Sequence, residues 1–242
     1  MNGFLKNPFS VLYVIGITLF FSIWTILDAS FRKVRRETFD KRLRLWAKML
    51  VNNINLDYSV HNPHNVKIDN NKPYILMCNH SSHYDIPLSL LAVEGSIRML
   101  AKRELMRIPI WGRGMRMAEF VALDRKNPRQ AIKDIRYAKT LMEQGIVFWI
   151  APEGTRSRTG KLQRFKTGGF KLSMEAGATI IPIGIVGSGE VMAAKSLRIN
   201  KGKHVDIHIG RPVDSSKYSR KNREDLILNV ESQIRHMTSQ AN

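Results

Sequence analysis

The chain is short of several things, and each shortage excludes something. It has one cysteine, Cys78, in 242 residues. An intramolecular disulfide, a cysteine-ligated zinc site and an iron–sulfur cluster are therefore excluded, and a reducing compartment suits it. There is no glycine repeat and no low-complexity tract, and at 43% hydrophobic residues the chain is too apolar for a disordered polycation. Acidic residues are scarce: 20 Asp and Glu stand against 39 Lys and Arg, a net charge of +19. That excess calls for an anionic counterpart, whether nucleic acid, an acidic membrane surface or phosphate-bearing substrates. No basic groove with interleaved aromatics and no nucleic-acid motif is legible, so nucleic acid is not an expected partner. Nothing in the sequence sets an oligomeric state.

Charge is missing altogether from Pro8 to Leu27, 20 consecutive positions bounded by Lys6 and Asp28. About 20 apolar residues cross a bilayer core, although Ser10, Thr18, Ser22 and Thr25 dilute this run. A span, a shallow or re-entrant insertion and a cleaved signal are the three readings. Between Phe31 and Leu50 follow Arg32, Lys33, Arg35, Arg36, Lys41, Arg42, Arg44 and Lys48 against Glu37 and Asp40. Positive flanks stay on the cytoplasmic side, which argues against secretion and puts the rest of the chain on the cytoplasmic face of a membrane. Phe31, Val34, Phe39, Leu43, Trp46 and Leu50 recur at near-helical spacing. That is the pattern of a basic amphipathic helix lying on anionic membrane lipids, with a solvated helix packed on the domain as the competing reading. The organisation expected is an anchoring segment plus basic helix over residues 1–55 and a folded domain over 56–242.

Beyond residue 55, short apolar runs alternate with amphipathic stretches, the pattern of an α/β domain with a central, largely parallel sheet flanked by helices. Strands are expected at Pro73–Cys78, Ile97–Lys102, Glu119–Leu123, Ile146–Ala151, Thr179–Val186 and Lys203–Ile209. The clearest helix is Pro128–Gln144: Asn127 is a natural cap, Pro128 suits the first position and Gly145 ends it. Others run through Phe170–Ala176 and from Asn222 to about Met237, the last with Leu226, Val230, Ile234 and Met237 on one stripe.

Four polar clusters directly follow or close predicted strands: Asn79–Asp85, Lys102–Glu104, Asp124–Lys126 and Pro152–Arg156. In open α/β sheets ligands bind outside the carboxyl ends of the strands, so parallel neighbours would bring these clusters to one crevice. The first holds His80 with Asp85 five positions on. An imidazole takes a proton at neutral pH, and a carboxylate fixes its tautomer and stabilises the imidazolium. On a regular helix two such positions point about 140° apart, so the pair meets only where the chain turns. Pro87 supports a turn there. Spacing alone is weak: seven His and ten Asp predict about 0.3 chance matches, and the chain has two. The other, His64 and Asp69, lies in a polar segment and reads as surface. Context selects His80.

That context resembles the glycerolipid acyltransferases. Asn79-His80-Ser81-Ser82-His83-Tyr84-Asp85, Phe120-Val121-Ala122-Leu123-Asp124-Arg125, Glu153-Gly154-Thr155-Arg156-Ser157 and Ile181-Pro182-Ile183-Gly184 are similar to that family's four ordered blocks, and Phe165-Lys166-Thr167-Gly168-Gly169 matches a stretch after the third. The likeness covers about Pro73 to Val186. Departures are small: Ala122 and Leu123 stand where a β-branched residue is preferred, and Arg103 replaces a Lys beside Lys102.

The resemblance implies acyl transfer from a thioester donor, acyl-CoA or acyl carrier protein, to the sn-2 hydroxyl of a lysophosphatidic acid, giving phosphatidic acid. No cofactor and no metal are implied. His80 would take the hydroxyl proton, Asp85 would orient His80, and the alkoxide would attack the thioester directly. Arg156 would hold the acceptor phosphate, supported by Lys102 and Arg125, with Gly154 and Thr155 offering backbone and Glu153 holding Arg156 or touching the glycerol. The alternatives are an acyltransferase for another lysolipid and a non-catalytic basic membrane-surface protein.

Blander readings cover the rest. Cys78 is expected to be a buried inert thiol and His83 a local hydrogen-bonding residue. His204, Asp206 and His208 share one strand face, which reads as a solvent face rather than a metal site.

Overall fold

The computed structural model describes residues 8–69, 71–124 and 127–239. Within them β1 (Asp57–His61), β2 (Tyr74–Cys78), β3 (Ser96–Lys102), β4 (Val121–Leu123), β5 (Ile146–Ile150), β6 (Thr179–Val186), β7 (His204–Ile209) and β8 (Val213–Asp214) form one sheet. Its order is β1-β7-β6-β2-β5-β3-β4, with β8 against β6. The run from β6 to β4 is parallel. β7 enters antiparallel to β6, and β1 lies parallel to β7 at the edge. The sheet is thus largely parallel and flanked by helices, as the alternation of apolar runs predicts.

Alternation along β2 divides the core. Leu76 and Cys78 face a layer with Ala47, Leu88, Trp149, Ile181 and Val205, while Ile75 and Met77 face one with Phe148, Phe170, Ile180, Val230 and Ile234. A strand buried on both faces reads as a continuous apolar run, which is why the β2 sequence Tyr-Ile-Leu-Met-Cys is apolar throughout. The helices are α1 (Pro8–Phe31), α2 (Arg36–Asn53), α3 (Asp85–Ala92), α4 (Trp111–Met117), α5 (Pro128–Glu143), α6 (Gly168–Ala176), α7 (Ser188–Val191) and α8 (Arg223–Ser239). The Asn127 side chain accepts from the backbone of Arg129 and Gln130 at the start of α5, and Gly177 closes α6 at φ +57°. α8 buries Leu226, Val230, Ile234 and Met237, the stripe read from sequence.

Three features differ from the sequence reading. β4 starts two residues later, because Glu119 sits at φ +66° in the turn that ends α4. α4 and β1 were not expected. The third difference is α2. Its apolar face, expected on lipid headgroups, is buried in the protein: Phe39, Ala47, Leu50 and Val51 pack inward. Toward solvent it shows Lys41, Leu45 and Lys48.

α1 runs past the charge-free stretch to Phe31 and is long and apolar enough to cross a membrane, with a mean hydropathy of 2.1. It does not stand free of the domain. The Trp46 indole N–H donates to Thr18 Oγ1 at 3.1 Å, Arg42 stacks on Trp24 at 4.4 Å and pairs with Asp28, and Gly114 on α4 lies against Ser22. Its outer face is bare, with Phe9 82% and Phe31 84% exposed and Leu12, Phe20 and Leu27 between them.

Candidate active site

The carboxyl end of β2 leads into a loop pinned from every side. The Asn79 carboxamide replaces a strand partner: its nitrogen donates to the Ile185 carbonyl at 2.8 Å and its oxygen accepts from Ile185 N at 2.7 Å. One residue on, the His80 carbonyl accepts from Ser157 N at 2.7 Å and the His80 amide donates to Glu153 Oε1 at 2.8 Å. The loop then turns into α3, whose first residue is Asp85. The turn brings together what a regular helix would separate: His80 Nδ1 lies 2.7 Å from Asp85 Oδ2.

That carboxylate is completely buried, and Oδ2 also accepts from Ser81 N at 2.8 Å and Ser82 N at 2.9 Å. Three bonds fix one oxygen, while Oδ1 has no hydrogen-bond partner among the described residues. A carboxylate on Nδ1, which also accepts two backbone amides, favours the tautomer with hydrogen on Nδ1 and the lone pair on Nε2. The ring is held edge-on to Trp149, with centroids 5.4 Å apart, and only 14% of the side chain is exposed. The Trp149 indole donates to Ser89 Oγ at 2.9 Å, and Ser89 Oγ donates to the Asp85 carbonyl at 2.7 Å. The aromatic wall and the carboxylate thus share one support.

His80 opens on a cavity of about 610 Å³. Its walls are mostly apolar and include Val14, Ile15 and Thr18 of α1, Trp46 of α2, and Leu197 and Ile199, while Lys102, Gly154, Thr155 and Arg156 line it with His80 and His83. A pocket of this size suits a ligand with a long apolar part and few polar anchors.

The other residues singled out from sequence fall into three groups. Arg156 lines the cavity half-buried, and its Nη1 is buried without a hydrogen-bond partner among the described residues. Burial weakens its hold on its proton, and the Asp85 charge partly offsets that. A guanidinium on a pocket wall is a planar donor suited to an anion. Gly154 sits at φ +75°, where a Cβ would come within 3.0 Å of the Lys166 side chain; Thr155 is exposed beside it. Lys102 also lines the cavity, but 59% of its side chain is in solvent, with Glu104 at 3.5 Å. Arg125 lies outside the described residues.

Glu153 does not take either position expected of it. It is 2% exposed, and both carboxylate oxygens accept backbone amides, Oε1 from His80 and Oε2 from Gln163 at 2.9 Å. Burial pushes its carboxyl up, against the pull of those two bonds. Its role in the fold is to clamp the His80 loop to the segment after β5. No local signal announces this, because the two amides lie 73 and 10 residues away.

His83 reaches solvent at its outer edge, yet packing around the ring, with Arg156 and His80 nearby, pushes it down to about 4. Cys78 is buried beside Ser89, and burial pushes its thiol far above the usual range. His64 and Asp69 are both exposed.

Comparisons with known proteins converge on this region. The family model described as Acyltransferase matches residues 57–186. The chloroplastic 1-acyl-sn-glycerol-3-phosphate acyltransferase of Arabidopsis thaliana is 33% identical over 145 residues, 60% of this chain and 40% of that protein. The alpha form from Homo sapiens is 32% identical over 133 residues, 54% of this chain and 47% of that protein. The chain thus spans less than half the length of these curated relatives. A crystal structure of the 1-acyl-sn-glycerophosphate acyltransferase PlsC from Thermotoga maritima superposes with a TM-score of 0.80 at 26% identity, covering 97% of this chain and 95% of that one.

Proposed function

The chain belongs to the acyltransferase family, and from that premise we propose that it transfers a fatty acyl group from a thioester donor to the sn-2 hydroxyl of 1-acylglycerol-3-phosphate, forming phosphatidic acid. The observation that carries the proposal is the His80–Asp85 pair, 2.7 Å apart, with His80 and Arg156 both on the wall of a largely apolar cavity.

His80 Nε2 takes the proton of the acceptor hydroxyl as that oxygen attacks the thioester carbonyl, and Asp85 stabilises the imidazolium. The tetrahedral intermediate collapses with cleavage of the C–S bond. The departing thiolate takes the proton from His80, so the enzyme returns to its starting state without a covalent acyl intermediate. Arg156 holds the phosphate with a planar guanidinium, with Lys102 and Arg125 as supporting cations. Glu153 acts through His80 by fixing the loop that carries it. The apolar cavity takes an acyl chain. Acyl-CoA and acyl carrier protein are both anionic, and the basic surface suits either.

Membrane association follows from the same geometry. α1 packs along the domain on one side and shows a bare apolar face on the other, which supports insertion into one leaflet, with Arg32, Lys33 and Arg35 at the headgroups of anionic lipids. On this reading the domain lies on the cytoplasmic face.

The test is an acceptor panel with purified chain in liposomes, run with both donor types. Phosphatidic acid formed from lysophosphatidate supports the proposal. If another lysolipid is acylated and lysophosphatidate is not, the substrate assignment fails while the chemistry survives.

A further inference from the structure

The parallel register of β1 and β7 creates a polar face that neither strand has alone. Ser59 stands opposite Asp206 and His61 opposite His208, with Asp57 opposite His204 at the start. Val205 and Ile207, between the polar residues of β7, turn inward and are fully buried. Alternation therefore places Asp57, Ser59, His61, His204, Asp206 and His208 on the outward face at the sheet edge.

Three of these side chains converge. The His61 and His208 rings stack with centroids 4.5 Å apart and planes within 13°. Asp206 Oδ1 lies 2.7 Å from His61 Nε2. Donor atoms of all three lie within 4.8 Å of one another. A tetrahedral zinc ion with ligands at its usual bond lengths needs donors about 3.3 Å apart, and because stacked rings direct their in-plane lone pairs side by side, one imidazole must turn out of the stack to meet the ion. His204 adds an outer layer: its Nε2 is 3.5 Å from Asp206 Oδ1 and its Nδ1 is 2.8 Å from Asp57 Oδ2. Partners of this kind orient a ligating carboxylate.

We propose that His61, Asp206 and His208 form a binding site for a divalent transition-metal ion, joining the edge strand β1 to β7. Two imidazoles and one carboxylate are a borderline donor set that suits zinc, cobalt, nickel or copper over magnesium or calcium. About half of the His61 side chain and a third of the Asp206 side chain are open to solvent, so an ion has an entry path and room for water as a further ligand. The ion would fasten the strand that follows α2 to β7. β7 alone offers only its own three side chains; the sheet pairing supplies His61, from far earlier in the chain.

The experiment uses untagged full-length chain in detergent, titrated with zinc against a chromophoric chelator and, separately, with cobalt followed by its visible absorption. The expected result is one zinc per chain at micromolar affinity or tighter and intense cobalt bands. His61→Ala and His208→Ala should each weaken zinc at least about 100-fold, the upper end of what losing an outer-shell partner costs, and abolish the bands. His64→Ala, on the exposed turn nearby, should bind as the wild type does. Saturating zinc should raise Tm in wild type and not in His61→Ala. Should either histidine variant unfold, Asp206→Asn replaces it with nearly the same shape. Absence of binding below about millimolar zinc overturns the proposal, as does equal binding by wild type and a folded His61→Ala or His208→Ala.

Discussion

Asp85→Asn isolates the charge of the carboxylate from its shape. The wild-type Oδ2 accepts from Ser81 N, Ser82 N and His80 Nδ1, and Oδ1 accepts from nothing among the described residues. Two backbone donors cannot face an amide NH₂, so in the variant the carboxamide oxygen takes the place of Oδ2. The loop stays pinned, and His80 Nδ1–H keeps an acceptor. What disappears is the negative charge that, in the proposed mechanism, stabilises the imidazolium formed as the hydroxyl loses its proton. Unit charges about 4 Å apart at an effective dielectric of about 20 interact by about 4 kcal/mol, which corresponds to a loss of about a thousandfold in kcat. The assay is phosphatidic acid formation under saturating donor and acceptor, with circular dichroism to show that the fold is kept. A folded variant within about tenfold of wild type would refute the claim that Asp85 works through its charge. Asp85→Ala goes further, leaving two buried N–H groups without an acceptor at about 1–3 kcal/mol each, and should melt at a visibly lower temperature.

Arg156→Ala is expected to raise KM for lysophosphatidate by about 10–100-fold, the worth of hydrogen bonds to a charged group, while Arg156→Lys recovers part of it; initial rates against acceptor concentration measure this, and an unchanged KM contradicts the phosphate assignment. Cys78, fully buried with its thiol pushed up, should resist a maleimide at pH 8 in the native protein and react once it is unfolded; rapid native labelling would contradict the packing described for β2. Gly112→Ala drives a Cβ into the Met106 carbonyl group, well inside van der Waals contact. At a cost of about 3 kcal/mol, Tm should fall by about 6–12 °C, and an unchanged melt would mean α4 packs differently.

How much of this was legible in the chain depended on whether the signal was local. The parallel strands were readable because strands buried on both faces are written as apolar runs. The caps of α5 and α6 were readable because Asn127 and Gly177 act within a few residues. β1 was not, since an edge strand with mixed exposure has no apolar run to announce it. α4 was hidden by Gly112 and Gly114, which lower helix propensity but are needed where Met106 and Ser22 approach. α2 showed its amphipathic pattern plainly, yet a pattern does not say whether protein or lipid covers the apolar side. At the site, His80 and Asp85 were legible because the blocks around them resemble those of an acyltransferase; their spacing alone did not set them apart from His64 and Asp69. The clamp made by Glu153 and the contribution of His61 to the β7 face were not, because both arise from pairings fixed only by the sheet.

In the proposed mechanism His80 is the base that frees the acceptor hydroxyl. The most direct test of that role is the rate of phosphatidic acid formation from lysophosphatidate and a thioester donor by wild type and His80→Ala, both shown to be folded. Wild type should turn over and His80→Ala should lose at least about a hundredfold, the lower bound for a positioned general base. A folded His80→Ala that acylates the acceptor at the wild-type rate would contradict the account.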